Sequence, residues 1–545
     1  MLITGRIATL GGESGFGWVE AIGIRDGRVA FAGSEVYLET RADPFTERIV
    51  LEPDEVAIPG LTDAHLHLAG AADATRQMDL SGAATLADGL AAIRVAYESP
   101  ADPDRWLEGR GWDADRWGRW PTAADLETVA PGRLVALWAH DHHAMLVSRA
   151  AMDFVGVDRD TPDPAGGVIR RGPDGAPEGV LYESATRLVT TRIPPIPQEE
   201  LEARLVAVSS QLVALGVVAV HDPGRLAPDP DLDWSYPAYA HLSETGRLPI
   251  RVLASFRDDA LETALAGGLR SGAILGADPA GRARIGWQKC FADGSLGSRT
   301  AALLADIEPE PDRPLPQERR RGVWNTEPAR LRELVGRAAA GGIATQIHGI
   351  GDAAVHAALD ILEPTAALVP FMPRIEHVQL LDPADRGRFA AAGIAASVQP
   401  SHMGTDAAQA RLLWGSRAER NGYAWGSIAA TGAVLAFGTD APIEPFDPWP
   451  GIALAVRRED PRWPAGTPPF APGEALSVER ALRAACVDPP GSAREMDRGR
   501  LTVGQRADVV VIPAASLAEP VEPGGALATT RPSIVIVDGR VAFEA

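Results

Sequence analysis

Pro59-Gly60-Leu61-Thr62-Asp63-Ala64-His65-Leu66-His67 is the stretch from which the fold can be worked out. It follows the apolar run Val56-Ala57-Ile58, turns at Pro-Gly and ends in two histidines spaced i and i+2. In a β-strand successive side chains alternate between faces, so His65 and His67 point one way while Leu66 points into packing. Two imidazoles aimed at one spot at a strand's end make half a metal site. His-x-His taken alone equally suits a strand whose histidines line a wet surface, so the reading depends on partners elsewhere in the chain.

Composition limits what those partners can be. A chain of 545 residues exceeds one minimal domain and points to a large domain with a smaller one or an insertion. With 46% hydrophobic and 23% charged residues, it can bury a sizeable core. The net charge of -21, from 52 basic and 73 acidic residues, argues against nucleic acid or an anionic membrane as partner. Cys290 and Cys486 cannot form a disulfide framework and fit a reducing compartment. The N-terminus lacks a signal-peptide pattern and no apolar run is long enough to cross a bilayer, so the cytoplasm is the expected location. The expected partner is a small-molecule substrate, and the sequence leaves a homodimer open.

The two ends of the chain resemble each other. Residues 21–30 and 533–541 both read as hairpins, with Asp26-Gly27 and Asp538-Gly539 supplying the positive φ angles of a tight type I′ turn. Together with Ala507–Ile512 they predict a small β-sandwich built from residues 1–58 and 473–545. Between them, strand-like runs at 61–66, 217–221, 250–255, 283–290, 343–348, 374–377, 394–398 and 433–437 alternate with helical segments such as 201–215, 330–340, 352–362 and 384–392. Eight strands alternating with helices predict an α/β fold, a (β/α)8 TIM barrel over residues 59–472. The interval 69–198 is too long for a simple connection and is rich in tryptophan, including Trp106, Trp112, Trp117, Trp120 and Trp138. With a hairpin expected around Gly172-Pro173-Asp174-Gly175, it reads as an inserted subdomain that lies over the barrel mouth as a lid. Two shorter excursions, 308–321 and 442–472, are charged and proline-rich.

Catalytic side chains in such barrels sit where strands run out into loops. His65 and His67 end the first strand, Lys289 lies near the end of the fourth, His348 ends the fifth, His377 ends the sixth and Asp440 follows the eighth. Imidazole and carboxylate ligands suit Zn²⁺ and its first-row neighbours, and so large a set suits two ions sharing a bridge. Lys289 has two readings. As an ammonium it pairs with a carboxylate; after reaction with carbon dioxide it becomes a carbamate whose two oxygens can bridge two metals.

Five blocks carry a resemblance: residues 62–67, Lys289-Cys290-Phe291-Ala292-Asp293-Gly294-Ser295-Leu296-Gly297-Ser298-Arg299, His348-Gly349-Ile350-Gly351-Asp352, Arg374-Ile375-Glu376-His377 and Gly438-Thr439-Asp440. The chain resembles the amidohydrolase superfamily, in its YtcJ-like, amidohydrolase-3 branch, which includes N-substituted formamide deformylases. The resemblance implies that His65, His67 and Asp440 hold the more buried metal, His348 and His377 the more exposed one, and carboxylated Lys289 bridges them. One or two divalent ions per chain, zinc first among the candidates, are the implied cofactors. Asp440 is the implied general base for a metal-activated water that attacks an amide-like C–N bond, leaving a carboxylate and an amine. The physics of bound metal ions agrees, since they lower the pKa of water to about 7 and polarise carbonyls.

Candidate substrate contacts are Trp112 and Asp113, His143, Asp293, Gln399 and His402. Trp112 equally suits core packing. His142, alternating with His143, is expected to face away from the site, and Glu183 could reach it from the insertion. Asp352 reads as an N-cap of the helix that follows. Cys290 alternates away from Lys289 and reads as buried, as does Cys486. Arg457 and Arg458 suggest an anionic substrate group or a charged surface. Ester hydrolysis or deamination at the same metals, and a metal-free binding protein of the same fold, stand as alternative functions.

Overall fold

The eight apolar runs form eight parallel strands in the computed structural model, which describes residues 1–39, 47–99, 106–224, 234–278, 280–309, 315–518, 521–522 and 524–545. These are β1 (Leu61–Asp63), β2 (Val217–Asp222), β3 (Arg251–Arg257), β4 (Ala283–Phe291), β5 (Thr345–Gly349), β6 (Arg374–His377), β7 (Ala395–Val398) and β8 (Leu435–Phe437). They pair in chain order. Nearly every strand residue is buried, because helices cover the outside while side chains fill the interior, so the strands read as apolar runs rather than as alternation. Just beyond the last strand, Ala64 N–H donates to Phe437 O at 2.8 Å and His67 N–H to Ala441 O at 2.9 Å, drawing the two ends of the sheet together.

The helices form where apolar residues recur at helical spacing. Pro328–Ala340 starts with proline at its first turn and turns Leu331, Leu334, Val335, Ala338 and Ala339 inward. The helix expected at 384–392 is instead a 3-10 turn, Pro383–Asp385, and a short helix, Arg388–Ala392, stopped by Gly393 at φ 66°.

Both predicted terminal hairpins are present, with Asp26 at φ 52°, Gly27 at 73°, Asp538 at 51° and Gly539 at 73°. The sequence predicts a sandwich, whereas the hydrogen bonds run through one continuous sheet of eight strands. Its path is Arg540–Glu544, Ile534–Val537, Val509–Pro513, Glu55–Pro59, Leu2–Ala8, Trp18–Arg25 and Arg28–Gly33, with Arg48–Val50 also on Leu2–Ala8. The return from barrel to sheet comes later than residue 473. Helix Val478–Cys486 packs on β1 and β8, and the chain rejoins the sheet only at Val509.

The insertion is a mixed six-stranded sheet of its own, running Gly167–Arg171, Pro177–Glu183, Ala144–Val147, Val135–Ala139, Leu107–Trp112 and Met78–Asp79. Trp112, Trp117 and Trp120 cluster on one of its faces, Trp112 and Trp120 meeting edge to face at 5.6 Å. Helix Leu68–Ala74 at its start packs on Gln198–Ala214 of the barrel, so the inserted unit proper starts after that helix. Residues 310–314 of the excursion 308–321 lie outside the described residues. Among the described residues, no helix is long and apolar enough to cross a membrane.

Candidate active site

The C-terminal ends of the barrel strands and the inserted sheet enclose a cavity of about 1090 Å³, lined by His65, His67, Lys289, His348, His377 and Asp440 among others. The six side chains singled out as ligands therefore meet in one place, contributed by five strands. β1 stops at Asp63, so strand alternation is not what aims His65 and His67. The segment after the strand does this. Their rings lie 5.5 Å apart at 76°, and Leu66 between them is fully buried.

Asp63 anchors that segment to β8. Its carboxylate accepts from His65 N–H at 3.0 Å, Thr439 N–H at 3.1 Å and the Thr439 hydroxyl at 2.6 Å. Burial pushes its pKa up to about 6, against the pull of these donors. Asp440 N–H donates to His65 O at 2.6 Å, so the two ligands are tied through their backbones. A Cβ on Gly438 would stand 2.5 Å from the His65 nitrogen, and the close approach of β8 to β1 requires glycine there. Asp440 and His377 hold left-handed backbones, φ 62° and 76°, a strained conformation for residues with side chains.

Neighbouring acceptors fix the tautomers. His65 Nδ1 donates to Glu376 Oε2 at 2.5 Å and His67 Nδ1 to Gly224 O at 2.6 Å, leaving each Nε2 with its lone pair toward Asp440. His348 Nε2 donates to Gly294 O at 2.9 Å, which leaves its Nδ1 as the ligand atom. Burial alone would raise the pKa of Glu376; Arg374 at 3.0 Å and His65 hold it down to about 2. Arg374 in turn donates to His221 Nδ1 at 2.9 Å and to Gln346 Oε1. A buried chain of charge thus holds His65 from behind. Burial also lowers the pKa of Lys289 to about 8, which makes its neutral amine accessible.

The donor set fits a divalent ion. His65 Nε2 and His67 Nε2 each lie 3.4 Å from Asp440 Oδ1, long for a hydrogen bond. Two ligands each about 2.0–2.1 Å from a tetrahedral ion stand about 3.4 Å apart. His65, His377 and Asp440 bring one ligand atom each within 4.8 Å of one another. His377 Nδ1, Lys289 Nζ and Asp440 Oδ1 are buried without a hydrogen-bond partner, which is costly unless something else satisfies them.

The expected substrate contacts divide. His143 and Trp112 line the cavity, as does Asp113, although Trp112 also donates Nε1–H to Leu137 O at 2.8 Å and packs in the insertion core. Asp113 spends one oxygen on a local turn, accepting from the amides of Asp115 and Arg116. His143 Nδ1 meets Glu183 Oε2 at 2.9 Å; burial would lower its pKa, but Glu183 raises it to about 9. His142 lines the cavity too, because its backbone turns left-handed at φ 54° and breaks the expected alternation. His402 reaches Asp440 Oδ2 with Nε2 at 3.0 Å, touching a candidate ligand directly.

Asp293 and Gln399, also expected as substrate contacts, do not line the cavity. Asp293 accepts from the backbone of Ile350, Gly351 and Ala302 at 2.8–3.0 Å, so its carboxylate is consumed in joining the loops after β4 and β5. Gln399 is buried outside the cavity lining, its amide 3.4 Å from Ser397 O. Asp352 is the first residue of its helix rather than the cap, and accepts from Leu304 N–H at 2.8 Å. Arg458 is fully buried, donating Nε–H to Phe470 O, and Arg457 pairs with Glu459, so neither lines the cavity. Cys290 and Cys486 are buried in the main core.

Glu376, Asp63 and Glu444 are residues of the candidate site that sequence reasoning passes over. Glu376 sits inside a quoted block, and a carboxylate immediately before a ligand histidine is its only signal. Glu444 gathers His140 at 3.5 Å, His402 at 3.7 Å and the Thr405 hydroxyl at 2.8 Å.

Known proteins are similar to this chain over most of its length. The putative amidohydrolase YtcJ of Bacillus subtilis is 31% identical over 500 residues, 90% of either chain. N-substituted formamide deformylase of Arthrobacter pascens is 26% identical over 527 residues, 94% of this chain and 93% of its own. The crystal structure of an uncharacterized metal-dependent hydrolase from Pyrococcus horikoshii superposes with a TM-score of 0.72 at 24% identity, covering 94% of this chain and 97% of that one. The model of the amidohydrolase family matches residues 54–543, and the chain is a hydrolase belonging to that family.

Proposed function

We propose that the protein hydrolyses an amide-like C–N bond of a small molecule, outside peptide chains, at a divalent metal centre. The observation that carries this reading is the set of buried atoms without a hydrogen-bond partner, His377 Nδ1, Lys289 Nζ and Asp440 Oδ1, in the cavity that His65 and His67 also line. The similarity to a deformylase of N-substituted formamides supports the choice of bond.

His65, His67 and Asp440 would hold one ion, His348 and His377 a second, with Lys289 between them as a carbamate. A divalent ion in this position lowers the pKa of water toward neutrality and polarises a carbonyl oxygen. The remaining work belongs to the chain. Asp440 is ionised: burial would raise its pKa, but the surrounding histidines hold it well below the usual carboxylate range. With Oδ1 turned to His65 and His67, Oδ2 takes the proton of the attacking water and returns it to the departing nitrogen. His402 donates to that same oxygen and fixes its orientation. His143 and Trp112 bound the substrate from the lid side, which excludes bulk water from the reacting carbonyl.

The test is metal content per chain in protein expressed with zinc and bicarbonate and purified without chelators, followed by a panel of N-formyl amines, N-acyl amino acids, cyclic amides and esters. Two ions per chain, falling when Lys289→Ala is made, together with turnover of an amide, is the expected result. One ion insensitive to Lys289→Ala refutes the carbamate bridge. No metal under any loading condition refutes the mechanism.

A further inference from the structure

At the opposite end of the barrel lies a second cavity, of about 630 Å³, that shares no residue with the first. Arg284 and Lys289 are five residues apart on β4, about 17 Å along a strand. The N-terminal ends of β3 and β4, the segment just before β6 and the segment between the last barrel helix and the terminal sheet enclose this cavity. Six arginines line it: Arg251, Arg282, Arg284, Arg494, Arg498 and Arg506. Four are balanced. Arg251 pairs with Asp508 and Asp538, Arg282 with Asp538, Arg498 with Glu495, and Arg506 with Asp497 and Asp538.

Those carboxylates are themselves shared, since Asp538 serves three arginines and Asp497 also pairs with Arg28. Arg284 and Arg494 have no carboxylate partner among the described residues. Each spends one donor on a backbone carbonyl, Arg284 Nε on Gly281 O and Arg494 Nη1 on Val369 O, and keeps the rest of its fork for another acceptor. An excess of positive charge in a concave site is unexpected in a chain of net charge -21. Guanidinium forks that line one cavity from separate segments match an anion with several oxygens, and phosphate takes such forks bidentately. The cavity is larger than phosphate alone, and Pro370, Phe371 and Met496 give it an apolar wall for whatever the phosphate is attached to. We infer that this cavity binds a phosphate-bearing small molecule, with Arg284 and Arg494 as its anion contacts, independently of the hydrolytic site.

The experiment is calorimetric titration of the metal-loaded protein with inorganic phosphate and with phenyl phosphate at constant ionic strength. Saturable binding of one phosphate ester per chain, weakened about ten-fold or more by Arg284→Gln and by Arg494→Gln, is expected. Arg159→Gln, an exposed change on the insertion, should leave it unaltered. Melting curves check that the variants fold, and the exposed Arg494→Gln decides the matter if Arg284→Gln does not. Affinity unchanged in both variants would place the anion elsewhere, at the metal centre for instance, and overturn the inference. Heat without saturation, or tighter binding of malonate than of either phosphate, would overturn it as well.

Discussion

Gly438→Ala tests whether the approach of β8 to β1 is what assembles the metal ligands. The new Cβ would lie 2.5 Å from the His65 nitrogen and 2.6 Å from its Cβ, where ordinary contact begins at 3.4 Å, so the two segments must part by about 0.9 Å. That displacement reaches the site itself: Asp440 hangs on His65 O through its amide and Thr439 on Asp63, so movement at residue 438 separates Asp440 Oδ1 from both Nε2 atoms. Overpacking of this kind costs about 1–3 kcal/mol of stability. A displacement of about 1 Å at the reacting groups costs about 100-fold in rate. The assay is kcat and metal content of Gly438→Ala beside Gly336→Ala. Gly336 lies inside helix Pro328–Ala340, where an added Cβ would meet nothing within 4 Å, so alanine there should stabilise by about 1 kcal/mol and leave activity unchanged. Wild-type metal content and rate in Gly438→Ala would refute the reasoning.

Glu376→Gln turns the charged acceptor that orients His65 into a neutral amide and leaves the Arg374 guanidinium buried without its counter-charge. Metal affinity should fall about 10–100-fold, with a stability loss of about 3–5 kcal/mol, read by metal titration and by denaturant unfolding. Unchanged affinity would show that the relay behind His65 does not matter. Asp538→Asn addresses the junction of barrel and terminal sheet. Burial would raise the pKa of Asp538, but Arg251, Arg282 and Arg506 depress it below its ordinary 3.8. A depressed carboxylate contributes stability that is present above pH 3.8 and is lost as pH falls below it. The variant should lose about 1 kcal/mol at pH 7 and show a shallower decline below pH 4, measured by unfolding at a series of pH values. An acid limb as steep as that of the wild type would contradict the assignment.

The barrel is legible in the sequence because its strands are buried on both faces and punctuated by loops, so each stands out as an apolar run. The candidate ligands are legible because His65, His67, Lys289, His348, His377 and Asp440 fall at or just past the ends of those runs. Side-chain direction is harder to read. Alternation assigns His142 away from the cavity, yet a left-handed residue resets the phase, and a single φ of 54° brings it in. Asp293 and Gln399 lie near strand ends and are chemically suitable, but proximity in sequence does not reveal competing partners. Three backbone amides that sequence cannot place claim Asp293. Glu376 shows the converse: its role depends on a strand register that puts it beside Arg374 and behind His65, residues 311 positions apart in the case of the histidine.

Closure of the barrel and assembly of the candidate metal site are one structural event. His65 and His67 come from the segment after β1 and Asp440 from the segment after β8, so these three ligands meet only when the first and last strands do. Of the side chains that would hold an ion, Asp440, His377 and Lys289 leave polar atoms buried and unsatisfied without one. An ion that binds the closed form alone stabilises it by RT ln(1 + [M]/Kd), about 4 kcal/mol at a thousand times Kd. That contribution falls at the seam, where β1 is only Leu61–Asp63 and β8 only Leu435–Phe437. The shortest strands of the barrel are therefore those that a bound ion would clamp together, and the strain at Asp440 falls where such an ion would give most in return.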